Sequence, residues 1–573
     1  MIKWISEAVK MCYQYIVSRP YLQSLLILVF FFSIFFAMYF SVNTLASADD
    51  HYFHFRFAQN MLSNGFLSSF HDFQAIYFSK MAQGSEYFVY YNFLFYLFIL
   101  PFAFFEPLTI GIKLYAVCIV AIAFYLLFTC YKKLEIRNPF IWTVLIIAIT
   151  STSSIWRFFL SRPYALAPSL LLLLLVFLYQ RKYIGVFLVS FLYLFWHSAT
   201  FFLPLCVAVG YVIIERFYQE KGDYRNLLYA IGGTGSAILI VYCISPGFLT
   251  YIHEVILGTY FDTILGHSVP IQEGGELYPI DFFNFIKENA LIFSAFVTVL
   301  GVDIFNYVAY KFKQITSTDY LTGLSQQRKT LQTTVLILTA LFFLGTVTAS
   351  GRFGDYFTFF AGLYIALSVD YIRRTLTIHA PQMIKRGIAT GLAVVLIYLL
   401  ASNMLFLQQR IAYGSSGVEL YQAGMWLTHN SKEDEVVFLA DWSWFPGLYF
   451  YSPKNNYTMG LEPRFMYTYS AEIYWLSSHI SDHGYVCRIE KCEDVKKEAL
   501  DAYRKDTAAA DWAKKEGSAI ADELLNTFKS KYVVTSKQHL PLNFVMDHSD
   551  RFERKLYNAE YGYSIYEVKE NKK

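Results

Sequence analysis

The sequence predicts a polytopic α-helical membrane protein of about 11–13 transmembrane helices, followed by a C-terminal extracytoplasmic α/β domain. Three observations lead there. The 573 residues are 56% hydrophobic and 19% aromatic with only 16% charged, far too apolar for an ordinary soluble chain. Apolar runs recur between Leu22 and Leu407, separated by charged loops. From Gln409 the composition turns polar, which divides the chain into a membrane region, 1–408, and a soluble region, 409–573, near the usual size of one domain. The net charge of +3 over this length sets up no field suited to nucleic acid.

The first run, Leu22–Leu45, follows Lys3, Lys10 and Arg19 and has no small-residue cleavage site after it, so it reads as an anchor. Further runs fall at Tyr87–Phe105, Ile110–Cys130, Pro139–Thr152, Ala165–Tyr179, Tyr183–Ile214 (long enough for a hairpin), Leu227–Ile244, Ala290–Tyr310, Thr333–Thr348, Tyr356–Tyr371 and Gly387–Leu407. Basic residues gather at the N-terminus, at Lys132-Lys133, Arg181-Lys182, Arg216 to Arg225, Lys311 to Lys329 and Arg373 to Arg386, which the positive-inside rule places in the cytoplasm. The loops around Asp49, Arg157–Pro163, Trp196-His197, Gly247–Lys287 and Ser350–Asp355, and the whole C-terminal region, then lie outside. This parity holds only if Tyr87–Phe105 is interfacial or re-entrant, leaving about eleven spans.

Where the first run leaves the bilayer stands Asp49-Asp50-His51-Tyr52-Phe53-His54-Phe55-Arg56. Two carboxylates and two histidines at this level face water, a metal or a substrate, and Asp49 and Asp50 are also good residues to start a helix reaching about Asn64. Asp50 to Arg56 resembles the Asp-x-Tyr-Phe-(Asn/His)-Tyr-Arg signature after the first transmembrane helix of the oligosaccharyltransferase catalytic subunit. More broadly it is similar to the acidic motif in the first outside loop of the GT-C superfamily of membrane glycosyltransferases. The resemblance implies a GT-C-like fold and a sugar taken from a polyprenyl-phosphate carrier. It makes Asp50, with Asp49, the catalytic candidate, set near the acceptor or a divalent metal (Mg or Mn), and puts His54 on the substrate side.

Other outer loops add candidates. His267 to Pro279 carries Glu273 and Glu276 around a Gly-Gly pair between two prolines, suited either to a loop that closes over a substrate or to a solvated connector. It faintly resembles the oligosaccharyltransferase external loop, which would make Glu273 or Glu276 its acid. Arg352 in Gly351-Arg352-Phe353-Gly354-Asp355 suits a lipid-linked phosphate or an ion pair with Asp355. Arg162, in Ser161-Arg162-Pro163-Tyr164, reads either way too, the interfacial anchor being favoured. His197 reads as a satisfied interfacial histidine.

In the soluble region, Val436–Ala440 reads as a buried strand running into Asp441-Trp442-Ser443-Trp444. An acid beside aromatic rings suits sugar binding, and an aromatic surface docked on the membrane is the other reading. A polar helical stretch, Asp494–Phe528, and strands at Lys531–Thr535 and Ser564–Val568 follow. Of the seven cysteines only Cys487 and Cys492 are close together in a polar region, as a small disulfide loop if outside the cytoplasm or as two free thiols. The oligosaccharyltransferase Trp-Trp-Asp motif is replaced by Asp441-Trp442-Ser443-Trp444, and no aspartate lies between Glu135 and Pro163, so transfer to asparagine is not supported.

The sequence thus reads as an inverting glycosyltransferase using a polyprenyl-phosphate sugar. Asp50 acts at the acceptor hydroxyl, Arg352 and Arg162 hold phosphate, and Asp441 and Trp442 help hold a glycan, lipid or protein acceptor. The alternatives are transfer of a preassembled lipid-linked glycan, and a transporter or flippase of such a glycan. The expected location is a bacterial inner membrane, with the N-terminus cytoplasmic.

Overall fold

The computed structural model describes residues 19–63, 75–79, 82, 92–219, 222–244, 248, 271, 275, 278–311, 325–375, 382–414, 418–497 and 506–571. The membrane region is helical: α1 (Pro20–Phe40), α2 (Ala48–Ser63), α3 (Phe93–Ile99), α4 (Leu108–Lys133), α5 (Pro139–Ile149), α6 (Thr152–Phe158), α7 (Ala167–Tyr179), α8 (Tyr183–Trp196), α9 (Leu203–Tyr218), α10 (Tyr224–Ile244), α11 (Phe282–Glu288), α12 (Ala290–Lys311), α13 (Gln326–Thr348), α14 (Phe353–Thr375) and α15 (Gln382–Ala412). Among the described residues seven helices are long and apolar enough to cross a membrane, or eight if α5 and α6 form one bent span. The protein is an integral multi-pass membrane protein.

The apolar run at 139–152 does not continue as one rod. Helix α5 stops at Ile149 and the chain turns by 106° into α6. The cause is the hydroxyl cluster Thr150-Ser151-Thr152-Ser153-Ser154: Thr150 is extended, and the Ser151 side chain caps a new helix by accepting from the Ser154 amide at 3.1 Å. Carbonyls exposed by such a break need partners in an apolar setting. Asn403 of α15 supplies them, donating to Ile147 O at 2.9 Å and Thr150 O at 2.8 Å. The segment at 87–105 carries only the ten-residue helix Phe93–Phe102 in its described part, about 15 Å long and too short to span.

Helix α14 is the most enclosed of the bundle although it carries charges at both ends. Asp355 near its N-terminal end accepts from Arg157 Nε at 3.1 and 3.2 Å, and Asp370 near its C-terminal end lies 3.9 Å from Arg328 and accepts the Arg137 amide at 3.1 Å. Burying a carboxylate without such partners is costly, so these residues fix how α14 seats against its neighbours. By contrast α12 and α15 present long apolar faces outward, as lipid-facing helices do.

The soluble region contains α16 (Tyr421–Asn430), β1 (Val436–Leu439), α17 (Phe445–Tyr451), β2 (Asn456–Tyr457), α18 (Pro463–Tyr469), α19 (Ala471–His483), α20 (Asp506–Asn526), β3 (Ser530–Ser536), α21 (Leu540–His548), β4 (Phe552–Asn558) and β5 (Tyr563–Val568). The sheet runs β2-β1-β3-β5-β4, with the first three strands parallel and the last two antiparallel. Alternation along the strands divides two cores. Val437, Leu439 and Val534 face the core continuous with the membrane helices, while Phe438, Ala440 and Val533 face a second core under α19, α20 and α21. An outer segment of the membrane region joins the sheet edge: Ile76 bridges Tyr457 in parallel, and the Tyr77 amide donates to Tyr457 O at 2.8 Å. Cys487 and Cys492 are joined as a disulfide.

Candidate active site between the helices and the soluble region

Asp49 and Asp50 occupy the first turn of α2, where the exposed amides of a helix start favour negative charge. Their side chains lie outside the described ones, so the arrangement is read from what fixes the helix. The preceding loop is held from three sides. The Lys113 ammonium of α4 donates to Val42 O and lies 5.3 Å from the Tyr39 ring, the Tyr39 hydroxyl accepts from the Ala46 amide at 3.0 Å, and Thr44 donates to Ile411 O at 2.6 Å. Helix α2 is then wedged between the bundle and the soluble region. His51 is fully buried with Nδ1 at 2.5 Å from Ser161 Oγ, His54 Nδ1 is 2.8 Å from the Tyr96 hydroxyl, and Asn60 donates to the Tyr449 hydroxyl at 3.1 Å. Tyr52 packs on Phe450 of α17 with centroids 4.6 Å apart. His54 is therefore a packed, hydrogen-bonded residue one helical turn after Asp50.

The segment after α6 connects this helix to the cationic residues. Ser161 meets His51, the Trp196 indole donates to Pro163 O at 2.6 Å, and Arg157 is bound to Asp355. The guanidinium groups of Arg157 and Arg162 lie 4.9 and 6.0 Å from the centroid of one ring, Tyr164. Across the site, His197 sits in the outer turn between α8 and the next helix, with Nδ1 2.7 Å from Thr200 Oγ1. Thr200 and Tyr193 both reach the Tyr356 hydroxyl of α14. Burial, and then the positive charge of Arg352, hold His197 neutral, with its pKa pushed down to about 3. Arg352 itself stands three residues before Asp355, whose carboxylate meets Arg157. Asp355 has Arg157 as a partner from another helix, so the ion pair expected from the sequence between Arg352 and Asp355 is not needed to hold that carboxylate.

Glu273 and Glu276 lie outside the described residues. The loop that carries them is anchored at its far end, where Gly351 donates to Tyr278 O and Ile280 donates to Thr346 O, directly beside Arg352. Asp441 and Trp442 belong to a different place, a cleft at the ends of the soluble strands. Arg157 and Lys113 were not singled out from the sequence. Lys113 had a legible signal, a lone cation inside the apolar run Ile110–Cys130; Arg157 had none, because its partner Asp355 is distant in the chain.

Asp49 and Asp50, the oxygen donors that Mg or Mn would use here, have side chains outside the described ones, and the described groups beside them are imidazole and hydroxyl groups hydrogen-bonded to one another. Among the described residues the group close enough to share an ion is His479, Cys487 and Cys492, whose sulfurs are spent in the disulfide.

No protein family and no curated protein matches the sequence. Among solved structures the chain is similar to ArnT from Cupriavidus metallidurans bound to undecaprenyl phosphate, with a TM-score of 0.51 at 10% identity over 96% of this chain and 98% of that one. At that identity the likeness establishes the fold: the chain has the GT-C architecture expected from Asp50 to Arg56, with its C-terminal α/β domain.

Proposed function

We propose that this GT-C-fold protein is a membrane glycosyltransferase that moves a sugar from a polyprenyl-phosphate donor to an acceptor hydroxyl at the outer face of the membrane. The observation that carries this reading is the placing of Arg157 and Arg162 against one ring, Tyr164, beside the start of α2, with Arg352 three residues before Asp355, the carboxylate that meets Arg157. A guanidinium stays charged and donates paired hydrogen bonds, which suits a phosphate whose lipid tail remains in the bilayer. The neighbour's bound undecaprenyl phosphate agrees with a ligand of that class.

In this reading Arg352 and Arg162 hold the donor phosphate. Asp50 accepts the acceptor hydroxyl proton as that oxygen attacks the anomeric carbon, and the C–O bond to phosphate breaks on the opposite side, inverting the centre. The arginines stabilise the departing polyprenyl phosphate as its charge develops. Glu273 or Glu276 would enter with the loop anchored at Tyr278, and Asp441 and Trp442 would engage a more distant part of the acceptor. No step is routed through a metal. The test is turnover of radiolabelled polyprenyl-phosphate sugars by the purified protein. Asp50→Asn is expected to lower turnover by about 10²–10⁴-fold while the fold persists; equal rates in mutant and active wild type would reduce Asp50 to a helix cap.

A further inference from the structure

The parallel strands β2, β1 and β3 end at a cleft of about 300 Å³ in the soluble region. Carboxyl ends of parallel strands are where open α/β sheets place ligands. Met459 and Pro463 line it with apolar surface, and Trp442 and Tyr474 add aromatic rings. Its polar groups are Asp441, Ser478, Ser481, Asp482, Gln538 and His539, with no lysine or arginine among the lining residues.

The arrangement is built by the backbone. Gly484 ends α19 in the left-handed conformation (φ 67°), and a Cβ there would lie 2.8 Å from the Pro541 carbonyl, so only glycine lets α19 close against the start of α21. That approach brings His539 Nδ1 to 3.0 Å from Ser481 O, which assigns the ring proton to Nδ1 and leaves Nε2 as an acceptor. His539 Nε2 and the Oγ of Ser481, a residue only 3% exposed, are buried polar atoms with no hydrogen-bond partner among the described residues. Buried polar groups without partners are uncommon and cost stability, so a ligand that supplies hydroxyls would satisfy them.

Charge narrows the class. Two carboxylates, with His539 Nδ1 3.7 Å from Asp482 Oδ1 and no lysine or arginine beside them, disfavour phosphates and other anions. The carboxylate of Asp441 is partly engaged, its Oδ1 accepting from the Ser443 amide at 3.0 Å and hydroxyl at 2.7 Å, and Asp441, Asp482 and His539 together do not form a group tight enough to share an ion. Aromatic faces, hydroxyl acceptors and an acidic rim together fit a sugar ring. We infer that this cleft is a saccharide-binding site selective for neutral or amino-bearing glycans, stacking the sugar on Trp442 and hydrogen-bonding its hydroxyls through Asp441, Asp482, Ser481 and His539. That the saccharide is the acceptor rests on the transferase reading; that the cleft binds it does not.

The test is binding of the full-length protein in detergent to an array of neutral, amino-bearing, uronic and phosphorylated oligosaccharides, followed by titration of the best ligand. Neutral or amino glycans are expected to bind, with affinity about tenfold or more weaker in Trp442→Ala and reduced in Ser481→Ala, a change small enough to keep the fold, while Asp50→Asn binds as wild type. Absence of glycan binding, a preference for anionic glycans, or undiminished binding by both cleft variants with native melting temperatures overturns the inference. If glycans bind and Trp442→Ala abolishes it, but no polyprenyl-phosphate sugar is consumed, the cleft stands and the transferase reading fails.

Discussion

The two polar sites of this protein differ in what stands beside their carboxylates. At one end of the membrane helices, arginines stand among carboxylates and a packed aromatic network; at the carboxyl ends of the soluble strands, Asp441 and Asp482 line a cleft with no lysine or arginine in its lining. On the proposed reading, that difference lets one chain sort two substrates: an anionic lipid carrier would be held among the arginines, and an uncharged glycan would have reason to prefer the cleft. The sheet lies between the two environments, one face in the core shared with the membrane helices and the other in its own core.

Substitutions at the two sites should differ widely in effect. The largest is Asp50→Asn, whose loss of turnover should leave glycan binding at the cleft intact; loss of both would mean that one site had been divided in error. Next, Arg352→Ala should raise KM for the lipid donor by about 10- to 100-fold, the worth of a charge-assisted hydrogen bond of about 1.5–3 kcal/mol, with Arg352→Lys recovering only part, as steady-state kinetics would show. His51→Ala removes a fully buried ring and leaves Ser161 without that partner, so a melt in detergent should show a destabilisation of about 1–3 kcal/mol. Chelation with EDTA should leave turnover within about twofold if the arginines alone balance the charge of the phosphate. Restoration of a collapsed rate by added Mg or Mn would instead put a metal in the cationic site.

The smallest effect concerns the far edge of the sheet. The hydrogen bonds from Lys531 and then Lys555 hold the Glu567 carboxyl below its ordinary value of 4.5. A lowered carboxylate pKa adds stability that is present above the ordinary value and is lost as pH falls through the lowered one. Glu567→Gln should therefore be less stable than wild type at pH 7 by under about 1 kcal/mol, the pair being partly exposed, with the gap closing in melts taken at strongly acid pH.

Much of the architecture was legible because hydropathy is a local signal. Strand β1 and the final strand were visible as short apolar runs, and Tyr87–Phe105 was separated from the spans by loop-charge parity. Strand β4 was missed because Glu553, Arg554 and Lys555 make it look like a loop; it is an edge strand whose charges face solvent. The break between α5 and α6 was missed although five consecutive hydroxyl residues mark it, because hydropathy averages over them. For the candidate site, Asp50, Arg162 and Arg352 could be found from outer loops and a family resemblance. The partners that place them could not, since Arg157–Asp355 and His51–Ser161 join residues more than a hundred positions apart. The cleft shows the same limit: Asp441 and Trp442 stand at a visible strand end, but Ser481 and His539 reach it only through the turn at Gly484.

The bridge between Ile76 and Tyr457 has a consequence for assembly. The edge of the soluble sheet is completed by a segment made near the start of synthesis, while Tyr457 emerges some hundreds of residues later, so that contact has a very long loop to close. Until it closes, β2 presents open amides and carbonyls at the membrane surface. The soluble domain expressed alone would keep that raw edge, and self-association through it is the fate to expect of a fragment cut from its membrane half.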